Sequence, residues 1–167
     1  MRTLVMLCAL VLGAVLQAVF PTWAWLGHAH APILMGVVLY YALAHSMGAT
    51  LAAAIVGGLL QDALGMIPLG YSSFCFCLVA LLAGKFRDIV FVHERVTHVL
   101  FGALAGGGVT LLLYILLGKD GLVALRPGWA ALKTGGSVLL GAVLVPFEFE
   151  LLGAVDRMLG NLESRGI

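Results

Sequence analysis

The sequence predicts an all-α, polytopic membrane protein, a compact bundle of about six transmembrane helices, and three observations carry that prediction. Of its 167 residues, 62% are hydrophobic and 10% are charged, with a mean hydropathy of +1.12, whereas soluble domains run at about 45–50% apolar and about 25% charged. The few charges are also unevenly placed. Between Arg2 and Lys85 the sole charged residue is Asp62, and Val96 to Gly118 carries none; a bilayer core of about 30 Å is crossed by roughly 20 such residues in a helix. Finally, 22 glycines and many alanines recur at the i, i+4 spacing that lets helices approach closely in lipid.

The spans follow in order. Residues 3–20 form the first, with Pro21, Trp23 and Trp25 behind it as an interfacial belt. A cleaved secretory signal is the competing reading, but its apolar region is usually about 7–15 residues, and the best small-residue site, Ala29-His30-Ala31, is followed by Pro32. Pro32 opens the second span, residues 32–45, at a position that suits a first-turn proline. After His45-Ser46-Met47-Gly48 the third span covers 49–64 and contains Gln61 and Asp62; Gly65, Pro68 and Gly70 then mark a turn. The fourth covers 71–84, the densest charge follows in 85–95, and the fifth covers 96–118. Lys119 to Lys133, with Arg126-Pro127-Gly128-Trp129, reads as a loop, and the sixth span covers 134–152 with a kink at Pro146 before a polar tail. The whole of 1–167 reads as one integral membrane domain.

Six spans put both termini on one face. Arg2, Lys85, Arg87, Arg95, Arg157 and Arg165 share that face, against Lys119, Arg126 and Lys133 on the other. The positive-inside bias therefore predicts both termini in the cytoplasm. A net charge of +1 without a basic run excludes a nucleic-acid partner. Cys8, Cys75 and Cys77 all stand in apolar stretches and read as packing residues, not as a disulfide or zinc framework.

Candidate chemistry is sparse. Asp62 closes the third span behind Gly57-Gly58-Leu59-Leu60-Gln61. Intramembrane acids usually face the bundle or a cavity, so the readings are a structural clasp on backbone groups of the following turn, an acid facing water, or a proton or cation site. Glu148 and Glu150 lie about 200° apart on a helix and do not jointly grip one ion. One faces a partner or headgroups while the other faces the bundle; the plain alternative is that the helix simply nears an interface there. His93-Glu94-Arg95-Val96-Thr97-His98 misses the zinc-protease pattern, because its second histidine falls at i+5 and Thr97 takes the ligand position. His28-Ala29-His30 reads as a wet interfacial loop. No phosphate loop, catalytic grouping or cofactor motif is visible, so an enzyme is not expected. Gly102-Ala103-Leu104-Ala105-Gly106, Ala14/Ala18, Gly48/Ala52 and Ala53/Gly57 are the small-residue pairs available for close packing or for a partner helix.

The stretch Gly57-Gly58-Leu59-Leu60-Gln61-Asp62-Ala63-Leu64 followed by Pro68-Leu69-Gly70-Tyr71 resembles the signature of the rod shape-determining MreD family. In that family a helix ends in G-x-x-x-D, matched by Gly58 and Asp62, and a Leu-Gly, matched by Leu69-Gly70, opens the next. Pro32 ahead of an apolar span, the chain length and a last helix carrying Pro146 fit the same pattern. Glu148 and Glu150 depart from it, since the family is mainly apolar after that proline.

The resemblance implies a bundle similar to the substrate-binding S-components of vitamin transporters. It further implies a non-enzymatic, cofactor-free scaffold of the bacterial cell-elongation and peptidoglycan-synthesis machinery in the inner membrane. The implied partners are MreC, through its transmembrane helix and membrane-proximal region, and indirectly the MreB filament and the wall-synthesis glycosyltransferase and transpeptidase, with membrane lipids around it and room for a homodimer within the complex. Ala14, Ala18, Gly102, Gly106, Glu148 and Glu150 are the expected partner contacts. A second reading is a small-molecule-binding subunit of the S-component type, for which Ala14-Val15-Leu16-Gln17-Ala18 resembles the docking motif.

Overall fold

A computed structural model describes residues 2–20, 30–86, 95–122 and 127–158. Six helices follow in order: α1 Arg2–Val19, α2 Ile33–Ala44, α3 Met47–Gly65, α4 Tyr71–Phe86, α5 Arg95–Lys119 and α6 Pro127–Met158. No strand occurs among the described residues. Pro21, Trp23, Trp25, His28, Ala29, Arg87, His93, Glu94, Arg126 and Arg165, named above, lie outside them.

α2 is hydrophobic on every side, a pattern that suits a core position and a lipid-facing span alike; here it is the core. Every residue from Ile33 to Leu43 is buried, and Leu34, Val38 and Leu39 have no exposed surface. At 12 residues it is the shortest element, about 18 Å long. The other five helices surround it. α1 turns the stripe Met6, Leu10, Ala14 and Gln17 inward and leaves Leu4, Val11, Leu12, Val15 and Val19 exposed.

Glycines set the closest approaches. A Cβ on Gly58 would stand 2.2 Å from Ser73 Cα, so α3 and α4 touch backbone to backbone. A Cβ on Gly102 would lie 2.4 Å from the Gly141 carbonyl oxygen, one on Gly141 2.3 Å from that of Gly102, and one on Gly106 2.6 Å from that of Ser137. This is the geometry that small residues allow where helices pack without a hydrophobic drive.

The outer surface carries many large apolar side chains: Val143 is 71% exposed and Phe147 67%. Met47–Gly65, Val96–Lys119 and Pro127–Met158 are long and apolar enough to cross a membrane, while Thr3–Val19, Ile33–Ala44 and Tyr71–Phe86 are shorter apolar helices.

The largest difference from the sequence reading is the sixth element. It starts at Pro127 instead of residue 134 and runs to Met158 instead of residue 152, as one helix through Pro146. Proline's fixed φ suits a helix's first turn, where its missing N–H has no partner to lose, so Pro127 and Gly128 begin a helix although they read as part of a loop. Asp156 and Arg157 thereby sit on the last turn of a helix.

Candidate functional site

The polar groups inside the bundle gather at its two ends. At the end where α1, α3 and α5 finish and α2, α4 and α6 begin, Asp62 is fully buried near the end of α3. Its helix stops where Met66 adopts the left-handed conformation, φ 50°. The Ile67 N–H then returns to the Asp62 carbonyl at 3.1 Å, a Schellman-type closure followed by Pro68. Gly70 has φ +106°, which glycine adopts without strain. That bend brings two backbone donors onto the Asp62 side chain: Gly70 N–H donates to Oδ2 at 2.7 Å and Ser72 N–H to Oδ1 at 2.9 Å. One carboxylate thus caps the start of α4 from the end of α3, with both oxygens engaged, and a carboxylate there also complements the helix dipole. Ser73 Oγ adds a bond to the Ile55 carbonyl at 3.1 Å beside the Gly58 contact.

A second tie lies nearby. Gln17 Nε2 donates to Gln61 Oε1 at 2.5 Å, and Leu34 N–H donates to Gln17 Oε1 at 3.2 Å. One side chain therefore joins α1, α2 and α3, and its bond to Leu34 satisfies a first-turn N–H of α2 that has no partner within the helix. Tyr71 OH donates to Asp120, joining the start of α4 to the turn after α5.

At the opposite end Asp156 is buried on the last turn of α6. Tyr40 OH donates to its Oδ2 at 2.8 Å, and His45 Nε2 lies 3.5 Å from the same oxygen. The rings of Tyr41 and His45 are 4.6 Å apart, and Tyr40 meets Phe149 edge to face at 5.4 Å. Thr50 Oγ1 donates to the Tyr41 carbonyl at 2.9 Å, tying α3 back to α2.

The remaining candidate residues scatter. Pro32 precedes α2, and its carbonyl accepts the Gly36 N–H at 3.0 Å. Leu69 is 72% exposed. Gly102 and Gly106 face α6, and Ala14 is buried, so these three meet other parts of the chain; Ala18 and Glu150 are exposed. Glu148 directs its carboxylate at Gly36 in α2, where a Cβ would stand 1.5 Å from Oε2, and that oxygen is buried without a hydrogen-bond partner among the described residues. His98, the second histidine of the rejected zinc pattern, lies against the Phe149 ring at 4.3 Å. Among the described residues no three His, Cys, Asp or Glu side chains form a metal-binding group.

Sequence reasoning passes over Gln17, Gln61, Tyr40 and Asp156 as interior polar ties. For the first three the signal is a lone polar side chain in an apolar helix, where lipid offers no partner. For Asp156 the signal is hidden by the adjoining polar tail.

No curated protein and no solved structure matches the chain. The family model described as rod shape-determining protein MreD matches residues 1–153. That match runs from α1 through most of α6 and takes in the Gly58–Asp62–Gly70 arrangement. The chain belongs to the MreD family of rod shape-determining membrane proteins.

Proposed function

We propose that the chain is a non-enzymatic scaffold subunit of the bacterial cell-elongation machinery. In this reading it crosses the inner membrane six times with both termini in the cytoplasm and binds the transmembrane helix and membrane-proximal region of MreC. MreB and the wall-synthesis glycosyltransferase and transpeptidase are reached through that complex. The observation that carries the reading is how the interior polar groups are spent. Both oxygens of Asp62 hold backbone N–H groups, and Gln17 and Asp156 bridge helices. Such groups fix the shape of a bundle; none is left as a nucleophile paired with a base.

The partner helix is assigned to the outer face of α1. Val11, Val15 and Ala18 recur there at helical spacing and are all exposed, and Ala18 permits close approach. Co-purification with MreC after mild detergent extraction, read by native mass spectrometry, tests this. The intact chain is expected to carry MreC, and Val15→Trp, on the same exposed face, to lose most of it at unchanged abundance. Complete absence of MreC from the intact chain's preparation would overturn the reading.

A further inference from the structure

A cavity of about 540 Å³ opens among α1, α2, α3, α5 and α6, with Phe76 of α4 also in its wall, at the end that holds Asp62. Small-molecule sites run at about 300–1,000 Å³, so its size suits a ligand larger than an ion. Its walls are mainly apolar, with Met35, Phe76, Val109 and Leu113 among them. Lys133 lines it and no Asp or Glu does. Lys133 is half-buried and has no carboxylate partner among the described residues. An ammonium set against apolar walls loses hydration that only an anion or several acceptors restore.

Gln61 supplies a second group. Its Oε1 accepts from Gln17, which leaves its two amide N–H donors uncommitted among the described residues. A cation and amide donors recognise an acidic head, and the apolar walls recognise what that head is attached to. A bare inorganic anion would leave those walls wet.

We infer that this cavity binds one amphiphilic anion, a carboxylate or phosphate head held by Lys133 and Gln61 on a single apolar chain packed against Met35, Phe76, Val109 and Leu113. The assignment stands apart from partner binding, and its test uses the full chain without any partner.

The purified chain in a non-ionic detergent is titrated with oleate, with oleoyl lysophosphatidate and with uncharged monooleoylglycerol, and bound ligand is counted by native mass spectrometry. At least one anionic probe is expected to bind about tenfold or more tightly than monooleoylglycerol. Whether oleate or lysophosphatidate binds more tightly decides between a carboxylate and a phosphate head. Lys133→Gln should remove the anion preference while monooleoylglycerol binding persists, and Leu113→Trp should weaken all three by filling the cavity. Equal affinity for the three probes, or an anion preference that survives Lys133→Gln, overturns the inference. Elution volume and melting temperature check both variants; if Leu113→Trp does not fold, the change at half-buried Lys133 decides alone.

Discussion

Asp62 shows what a single acid can do where water is scarce. Its two oxygens accept from Gly70 and Ser72, so its removal strands two donors at the start of α4, each costing about 1–3 kcal/mol if left unsatisfied. Asp62→Asn keeps one carbonyl acceptor and the shape, so it is expected to lose about 1–2 kcal/mol, and Asp62→Leu clearly more. Thermal unfolding of the detergent-solubilised variants measures the order, and equal melting temperatures for all three chains would refute the capping role. Tyr40→Phe tests the other end. It deletes the hydroxyl that donates to Asp156 and is expected to cost about 0.6 kcal/mol, the average for an interhelical hydrogen bond in a membrane bundle, and no more than about 1.7 kcal/mol, the maximum for such bonds. The position of Asp62 was legible as the one acid between Arg2 and Lys85. Its acceptors' partners were legible only through the glycine two residues before Ser72, because backbone donors carry no side-chain signature. Asp156 was illegible for a different reason: a charge near the end of an apolar helix looks solvated until its partner 116 positions away is known.

At the scale of helices, the segments were readable because apolar length and breakers announce them, whereas their ends depend on local rules that compete. Gly128 argues for a loop and Pro127 for a helix start; Pro127 decides, because glycine beside a helix N-terminus costs little when packing extends the helix beyond it. Which glycine of 22 serves a contact was not readable from spacing, since Gly58, Gly102 and Gly106 meet backbone while Gly108, Gly135 and Gly153 have nothing within 4 Å of a Cβ. This contrast is testable. Gly58→Ala must push Ser73 of α4 away from α3 and is expected to destabilise by about 1–3 kcal/mol. Gly153→Ala, on open helix surface, is expected to stabilise by about 0.5–1 kcal/mol through lower unfolded-state entropy. Melting temperatures that move together would show that α3 and α4 tolerate separation.

For the whole molecule, the central question is how helices as different in length as α2, at 12 residues, and α6, at 32, share one layer. α2 is enclosed on all sides, so its surface meets neighbouring side chains rather than lipid, and its length need not match the bilayer. Hydropathy along the chain treats a buried apolar helix and a lipid-facing one alike, which is why the enclosure of α2 could not be read from composition. The proposed orientation makes the Asp62 end external and the Asp156 end cytoplasmic, and two exposed methionines mark those ends. Met66, 97% exposed, follows α3, and Met158, 88% exposed, closes α6. In a chain whose exposed Cys8 and part-buried Cys77 are replaced by Ala, Met66→Cys should react with a membrane-impermeant maleimide added outside spheroplasts. Met158→Cys should react only after permeabilisation. The reverse pattern would invert the bundle and move the Lys133 cavity to the cytoplasm, and labelling of both from outside would place the two ends on the same face.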